Sequence, residues 1–213
     1  MSLIVLCAGG HTRVVIEALL SRGRRPDAVT DRNSPLVGTL IGGVPITGPD
    51  EDILKMRTDQ VELVNGLGNR ASRSSSGLLP RLELFDRFVA LGYTFPVISH
   101  ASAVIASDAS LGDGAQVMAG AIIQPAVRLG RNVLVNSRAV VEHDCQIGDH
   151  AHIAPGAVLC GGVRVGEGAH VGAAAVVLGG VSVGPGAVIA AGAIVARNVE
   201  AGGFAGGDRN RTS

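Results

Sequence analysis

His143 followed directly by Asp144 is the pair in this sequence whose residue types could do chemistry together. An imidazole, with an ordinary pKa of about 6.5, takes a proton from an attacking amine or hydroxyl near neutral pH. General-base catalysis of that kind is worth roughly 10²- to 10⁴-fold. A neighbouring carboxylate can hold one ring nitrogen protonated and leave the other to act. The plain alternative is a structural histidine beside a turn aspartate that caps nearby backbone N–H groups. His150, His152 and His170 supply further imidazoles, enough in number for a metal site, though zinc needs three convergent ligands and an open position. Two glycine turns are the other candidates. Cys7-Ala8-Gly9-Gly10-His11 lacks the full dinucleotide fingerprint, yet a glycine turn feeding a helix N-terminus presents backbone N–H groups to a phosphate. Asp31 could accept hydrogen bonds from ribose, sugar or base, or be a turn residue beside Arg32-Asn33. Gly66-Leu67-Gly68-Asn69-Arg70 reads equally as a ligand loop or a turn.

The elements that must position these residues fall into two halves. Residues 1–98 alternate between β and α patterns: a strand at Leu3 to Leu6, a helix carrying Val14, Val15, Ala18 and Leu19, and a second strand at Asp27 to Thr30. A third strand at Val61 to Val64 and an amphipathic helix from Leu79 to Leu91, closed by Gly92, follow. Such alternation predicts a small Rossmann-like parallel sheet, with the glycine turns and Asp31 at strand ends.

From Ser99 to Glu200 the chain reads as 17 hexapeptides with no insertion in the frame. The first position is aliphatic in all but Ser99, and the fifth is Ala, Val or Cys throughout, from Ala103 through Cys145 to Val199. The second and fourth positions are rich in Gly, Ala, Asn and Asp. A fixed period marks a solenoid, whose units bury their apolar faces only by stacking. The aliphatic residue would enter a narrow prism, and the small ones would serve tight corners where Gly, Asn and Asp tolerate positive φ.

Composition agrees with small parts: 31 glycines, no tryptophan, one tyrosine and four phenylalanines. The 18 basic and 18 acidic residues cancel, so no overall field argues for a nucleic-acid or membrane partner. Three widely spaced cysteines, Cys7, Cys145 and Cys160, suit reduced thiols in a cytoplasmic protein and carry no redox role. The opening run Leu3 to Cys7 is shorter than a signal-peptide core and no segment is long enough to span a bilayer, so a soluble, unexported protein is expected.

The stretch Asn136-Ser137-Arg138-Ala139-Val140-Val141-Glu142-His143-Asp144-Cys145, followed by Ile147-Gly148-Asp149 and His152-Ile153-Ala154-Pro155-Gly156, resembles the bacterial family of sialic acid O-acetyltransferases and nucleotide-linked amino-sugar N-acetyltransferases. That family includes the bacillosamine- and perosamine-type enzymes, and the resemblance extends to the Gly-Gly-His loop and the Gly-x-Gly-Asn turn. It implies an N-terminal Rossmann-like domain over residues 1–98 that binds a nucleotide sugar. It further implies a left-handed parallel β-helix over 99–200, with three hexapeptides per coil, and a tail over 201–213. The implied enzyme is a cytoplasmic homotrimer of surface polysaccharide or glycan biosynthesis. It uses acetyl-CoA as cosubstrate and no metal, and it acetylates the 4-amino group of a nucleotide-linked 4-amino-4,6-dideoxy sugar.

The resemblance also implies roles. His143 is the general base and Asp144 orients it, with direct attack on the thioester and no serine or cysteine nucleophile. One coil of 18 residues beyond His143 lies Gly161, whose N–H would stabilise the oxyanion; the alternative is a glycine chosen only for its turn. His152, Ala173 and Ala191 are coenzyme A contacts, the two alanines through the main chain. Gly9, Gly10, His11, Asp31 and Gly68 bind the nucleotide sugar, and Asn136 approaches the sugar near the acetylated position. His170, one coil from His152, should stack with it on an outer face as a surface residue. The tail Gly203-Phe204-Ala205-Gly206-Gly207-Asp208 departs from the family's Gly-Val-Pro-Ala type segment, which leaves its packing over the coenzyme open. The competing functions are a sugar O-acetyltransferase of the sialic acid type, a γ-carbonic anhydrase-like metalloenzyme, and a noncatalytic trimeric scaffold.

Overall fold

The computed structural model describes residues 1–32, 34–69 and 79–206. Asn33, Arg70, Gly207 and Asp208 lie outside them. The N-terminal half forms β1 (Ser2–Leu6), α1 (Gly10–Leu20), β2 (Ala28–Thr30), β3 (Leu40–Ile41), β4 (Val44–Gly48), β5 (Val61–Asn65) and α2 (Leu79–Ala90). The strand order is β3-β4-β2-β1-β5, with β4, β2, β1 and β5 parallel and β3 antiparallel to β4. The sheet is therefore mixed rather than purely parallel. Gly42 and Gly43, with φ of 55° and 76°, make the tight β3–β4 turn, which needs two residues in the left-handed region.

The second half is a parallel β-helix whose three sheets stack at offsets of 18 residues, as in Ile122, Val140, Val158 and Val176. Each rung is two residues, the first turned out and the second turned in. The inward aliphatics, with the small fifth-position residues, form one continuous buried core from Val117 to Val195. Burial of a Val, Leu or Ile is worth about 1.5–3 kcal/mol each, so a prism without aromatics still closes. From Gly114 to Gly192 the fourth position turns each corner with positive φ. Ala126, Asn132, Arg138, Asp144, His150 and Ala174 adopt it, with φ from 54° to 62°, besides the glycines.

The outward residues differentiate the faces. A polar face carries Ser110, Arg128, Gln146, Arg164 and Ser182, and an aliphatic face carries Val104, Ile122, Val140, Val158, Val176 and Ile194. The third, the docking face, carries Ile98, Gln116, Leu134, His152, His170, Val188 and Phe204. Ile98, Met118 and Leu134 pack into one cluster with Leu3, Val5, Val15, Ile16 and Leu19, so the sheet domain sits on this face. The scarce aromatics gather at the joint, where Phe85, Phe88, Tyr93 and Phe95 form a buried cluster. The eighteen-residue step shortens at the last corner: Val183 bridges Val199 and Val188 pairs with Phe204, offsets of 16. Among the described residues no helix is long and apolar enough to cross a membrane.

Candidate active site

His143 and Asp144 occupy the corner between the aliphatic and polar faces. Its turn sets Asp144 at φ 62°, a conformation that Asp tolerates better than most residues. The Asp144 Oδ2 lies 2.8 Å from His143 Nδ1, which directs His143 Nε2 away from the pair. Both side chains are exposed, 63% and 66% respectively. Gly161 stands one coil on at the same corner. A Cβ built there would lie 2.6 Å from both Cε1 and Nε2 of His143, so the imidazole rests against the glycine backbone. The Gly161 carbonyl accepts from the Gly180 N–H at 3.0 Å, whereas its own N–H donates to no group among the described residues. Corner periodicity thus brings together an imidazole, a carboxylate against its Nδ1 and a backbone N–H that meets no acceptor among the described residues.

The second feature is a cleft of about 560 Å³ along the docking face and the next corner round, between the docking and aliphatic faces. It is lined by His152, Ala173 and Ala191, and also by Asn69, His170 and Phe204. The rings of His152 and His170 stack edge to face with centroids 4.9 Å apart. Asn136 Nδ2 lies 3.4 Å from His152 Nε2, and its Oδ1 accepts from the Ser137 N–H at 2.8 Å. Burial, with His170 second, holds His152 well below the ordinary histidine range, so the ring is neutral. His170 is only 3% exposed and is no surface residue; it stacks on His152 and shares the cleft wall with Asn69, and burial pushes its pKa down to about 4. Phe204 continues the docking face beside Val188 and lines the cleft, so the divergent tail reaches the cleft by a different segment.

A separate pocket of about 510 Å³ lies over the strand ends of the sheet domain, lined by Gly9 and Asp31 with Cys7, Asp50, Arg32 and Arg87 among others. Asp31 Oδ2 accepts from the Ala8 N–H at 2.7 Å, which ties the glycine turn to the end of β2. Gly10, His11 and Gly68 do not line it. His11 turns instead to the β-helix, its Nε2 2.8 Å from Gln116 Oε1, and burial pushes its pKa down to about 4. Gly68 packs against it, with a built Cβ 3.2 Å from His11 Cβ. Burial, then Asp50, raises the Cys7 thiol to about 12, and burial raises Cys145 to about 11, so neither is a thiolate nucleophile at neutral pH.

Further residues complete the arrangement. Arg81, 2% exposed, donates to the carbonyls of Asn65 and Leu67 at 3.2 and 2.8 Å and clamps the Gly66-Leu67-Gly68-Asn69 turn onto α2. Gln116 Nε2 donates to the Asn65 carbonyl at 2.8 Å, joining the same turn to the docking face. Gln116 was legible as the docking-face position two coils before His152; Asn69 and Arg81 had no such signal. His150 lies at another corner, 3.0 Å from Asn132 through Nδ1, and among the described residues no three His, Cys, Asp or Glu side chains converge as metal ligands would. The His143 corner and the cleft therefore stand at two different corners of one prism, with the whole aliphatic face between them.

Residues 2–76 match the model of the PglD N-terminal domain. Residues 126–161 match the bacterial transferase hexapeptide (six repeats), and 162–197 the hexapeptide repeat of succinyl-transferase. Among solved structures, PerB from Caulobacter crescentus in complex with CoA and GDP-perosamine is 31% identical over 96% of this chain and 93% of that one, with a TM-score of 0.85. The acetyltransferase domain of PglB from Neisseria gonorrhoeae FA1090, in complex with acetyl coenzyme A, is 31% identical over 96% of each chain, with a TM-score of 0.87. WeeI from Acinetobacter baumannii AYE shares the fold at 23% identity over 97% of both chains, with a TM-score of 0.82. No curated protein sequence matches the chain.

Proposed function

We infer, since this chain belongs to the PglD-type family of hexapeptide-repeat sugar N-acetyltransferases, that it transfers the acetyl group of acetyl-CoA to the 4-amino group of a nucleotide-linked 4-amino-4,6-dideoxy sugar. The observation that carries this reading is the separation of the His143 corner from the cleft of His152, Ala173 and Ala191 by the aliphatic face. One chain cannot bring its own pair and cleft together. Packing the ladder of Val104, Ile122, Val140, Val158, Val176 and Ile194 on a second copy sets one subunit's catalytic corner beside its neighbour's cleft. Three copies close the ring as a homotrimer with three equivalent sites. Ile194 and Val104 are 75% and 61% exposed, an aliphatic surface that a solitary solenoid would not keep.

In this reading the pantetheine arm lies along the cleft, with its thioester at the His143 corner. The nucleotide of the acceptor is held at the Gly9 and Asp31 pocket, and Gly10, His11 and Gly68 shape the loops around it. Asn136 approaches the sugar. The neutral amine attacks the thioester carbonyl while His143 Nε2 takes its proton; the new C–N bond forms, the C–S bond breaks, and the proton passes to the departing thiolate. Asp144 holds the ring through Nδ1. The Gly161 N–H receives the oxyanion, a donor worth about 3 kcal/mol when fixed in place. Direct attack needs no protein nucleophile, in keeping with the raised thiols of Cys7 and Cys145.

The test is thiol release from acetyl-CoA, followed with a chromogenic reagent, against UDP-, GDP- and dTDP-linked 4-amino sugars with sialic acid as control. Turnover with one amino sugar is the expected result. Turnover with sialic acid alone would move the reading to O-transfer, and silence throughout would overturn it.

A further inference from the structure

His170 has no part in the chemistry described above, yet its placement is costly. Its neighbours in the outward column are His152 and Val188; of the other polar members, Gln116 is engaged with His11 and Asn65, and His152 meets Asn136 through Nε2 although its own Nδ1 is also buried without a partner. The His170 ring is enclosed in the cleft, its Nδ1 is sealed from solvent without a partner, and no group among the described residues bonds to Nε2. Leaving a buried polar group unpaired costs about 1–3 kcal/mol, and an aliphatic residue like Val188 would avoid the cost on the same rung.

We propose that His170 is a specificity-determining contact for the cofactor, donating Nε2–H to an amide carbonyl of the pantetheine arm. With Nδ1 sealed, Nε2 is the nitrogen left to meet a ligand, and the proton belongs there because an orphaned donor is rarer than an orphaned acceptor. The ring is neutral near pH 7, which suits a carbonyl rather than a phosphate. The wall around it is formed by Ala154, Ala173, Val188, Ala190 and Ala191, an apolar trough fitted to an alkyl chain broken by amides. Asn69 Oδ1, also buried and unpartnered on the same cleft, is an acceptor for an amide N–H of the same arm.

The proposal rests on the reading that acetyl-CoA occupies this cleft. It is tested by calorimetric binding of CoA and of 3′,5′-ADP, which lacks the arm, to the full chain and to His170→Phe and His170→Gln. The Phe variant should bind CoA about 10-fold more weakly, equivalent to about 1.4 kcal/mol, and 3′,5′-ADP unchanged. Gln, which restores an N–H donor without the ring, should recover part of the loss, and KM for acetyl-CoA should rise with kcat preserved. If Phe disturbs folding, His170→Val, matching the next rung, carries the same expectation. CoA binding within 2-fold of wild type in His170→Phe and His170→Val, or equal losses for CoA and 3′,5′-ADP, would overturn the proposal. A wild-type chain that binds no CoA would overturn the functional reading itself.

Discussion

Gly161→Ala places one methyl group where the structure has least room for it. The added Cβ would lie 2.6 Å from Cε1 and Nε2 of His143, well inside van der Waals contact. Gly161 does not occupy the left-handed region, so alanine fits its backbone. The obstacle is the end of an exposed side chain, which can swing away at little cost to the fold. Gly→Ala at a compatible site stabilises by about 0.4–1 kcal/mol, so the melting temperature should hold or rise slightly. The ring, however, must give up its 2.8 Å contact with Asp144 or move by about an ångström, and a displacement of that size at a reacting centre costs about 10²-fold. We expect kcat for thiol release to fall about 100-fold with CoA affinity retained. Gly162→Ala is the control. It meets no atom within 4 Å but carries φ of +71°, so it should lose stability by about 1 kcal/mol and keep its turnover. A Gly161→Ala enzyme with kcat within 3-fold of wild type would refute the argument that His143 works against this corner.

Val158→Glu sets a charge in the middle of the aliphatic ladder and should convert a trimer to monomers by light scattering, with turnover lost and the circular dichroism unchanged. Gly66→Ala would drive a Cβ to 2.4 Å from Thr12 Oγ1 and 2.5 Å from the Leu6 carbonyl; overpacking of this kind costs about 3 kcal/mol, readable as a lowered urea midpoint. His11 and His170 are depressed to about 4 by burial, so the unfolded chain protonates first as the pH falls. Their contribution is complete above about pH 6.5 and is lost toward pH 4, at about 1.4 kcal/mol per pH unit for each. Urea midpoints at pH 7 and pH 5 measure it, and the double variant His11→Gln, His170→Phe should reduce the difference, with His152 supplying part of what remains; an unchanged slope would refute the assignment.

The prism was legible because every rung repeats one demand: an aliphatic inward, a small residue behind it, a corner that accepts positive φ. The same step of 18 aligns His152 with His170 and His143 with Gly161 from the sequence alone. Periodicity does not say which face is covered. His170 reads as an outer residue, yet it stands buried against His152 on the face that carries the sheet domain; the contrast between the column of Ser110, Arg128 and Arg164 and that of Ile98, Leu134 and Val188 held that information. The β3–β4 hairpin leaves little trace in the sequence because its first strand is two residues long, although Gly42-Gly43 between apolar pairs marks the turn. Asn69 falls in the turn read as a ligand loop or a plain turn, with nothing to aim it at the cleft, and Arg81 was out of reach because no pattern marks a buried cation that bonds backbone carbonyls.

The two residues missing from the last corner have a consequence for what this solenoid refrains from doing. A parallel β-helix ends in open strand edges, and open edges invite another prism to stack on them and extend the sheets into a fibre. Stacking requires the guest coil to share the host's perimeter, so that three rungs meet three rungs at once. With Val199 below Val183 and Phe204 below Val188, the terminal coil has a shorter perimeter than an eighteen-residue coil can match. One sheet of a guest could pair, but not all three together, and the defect acts as a stop against end-to-end polymerisation.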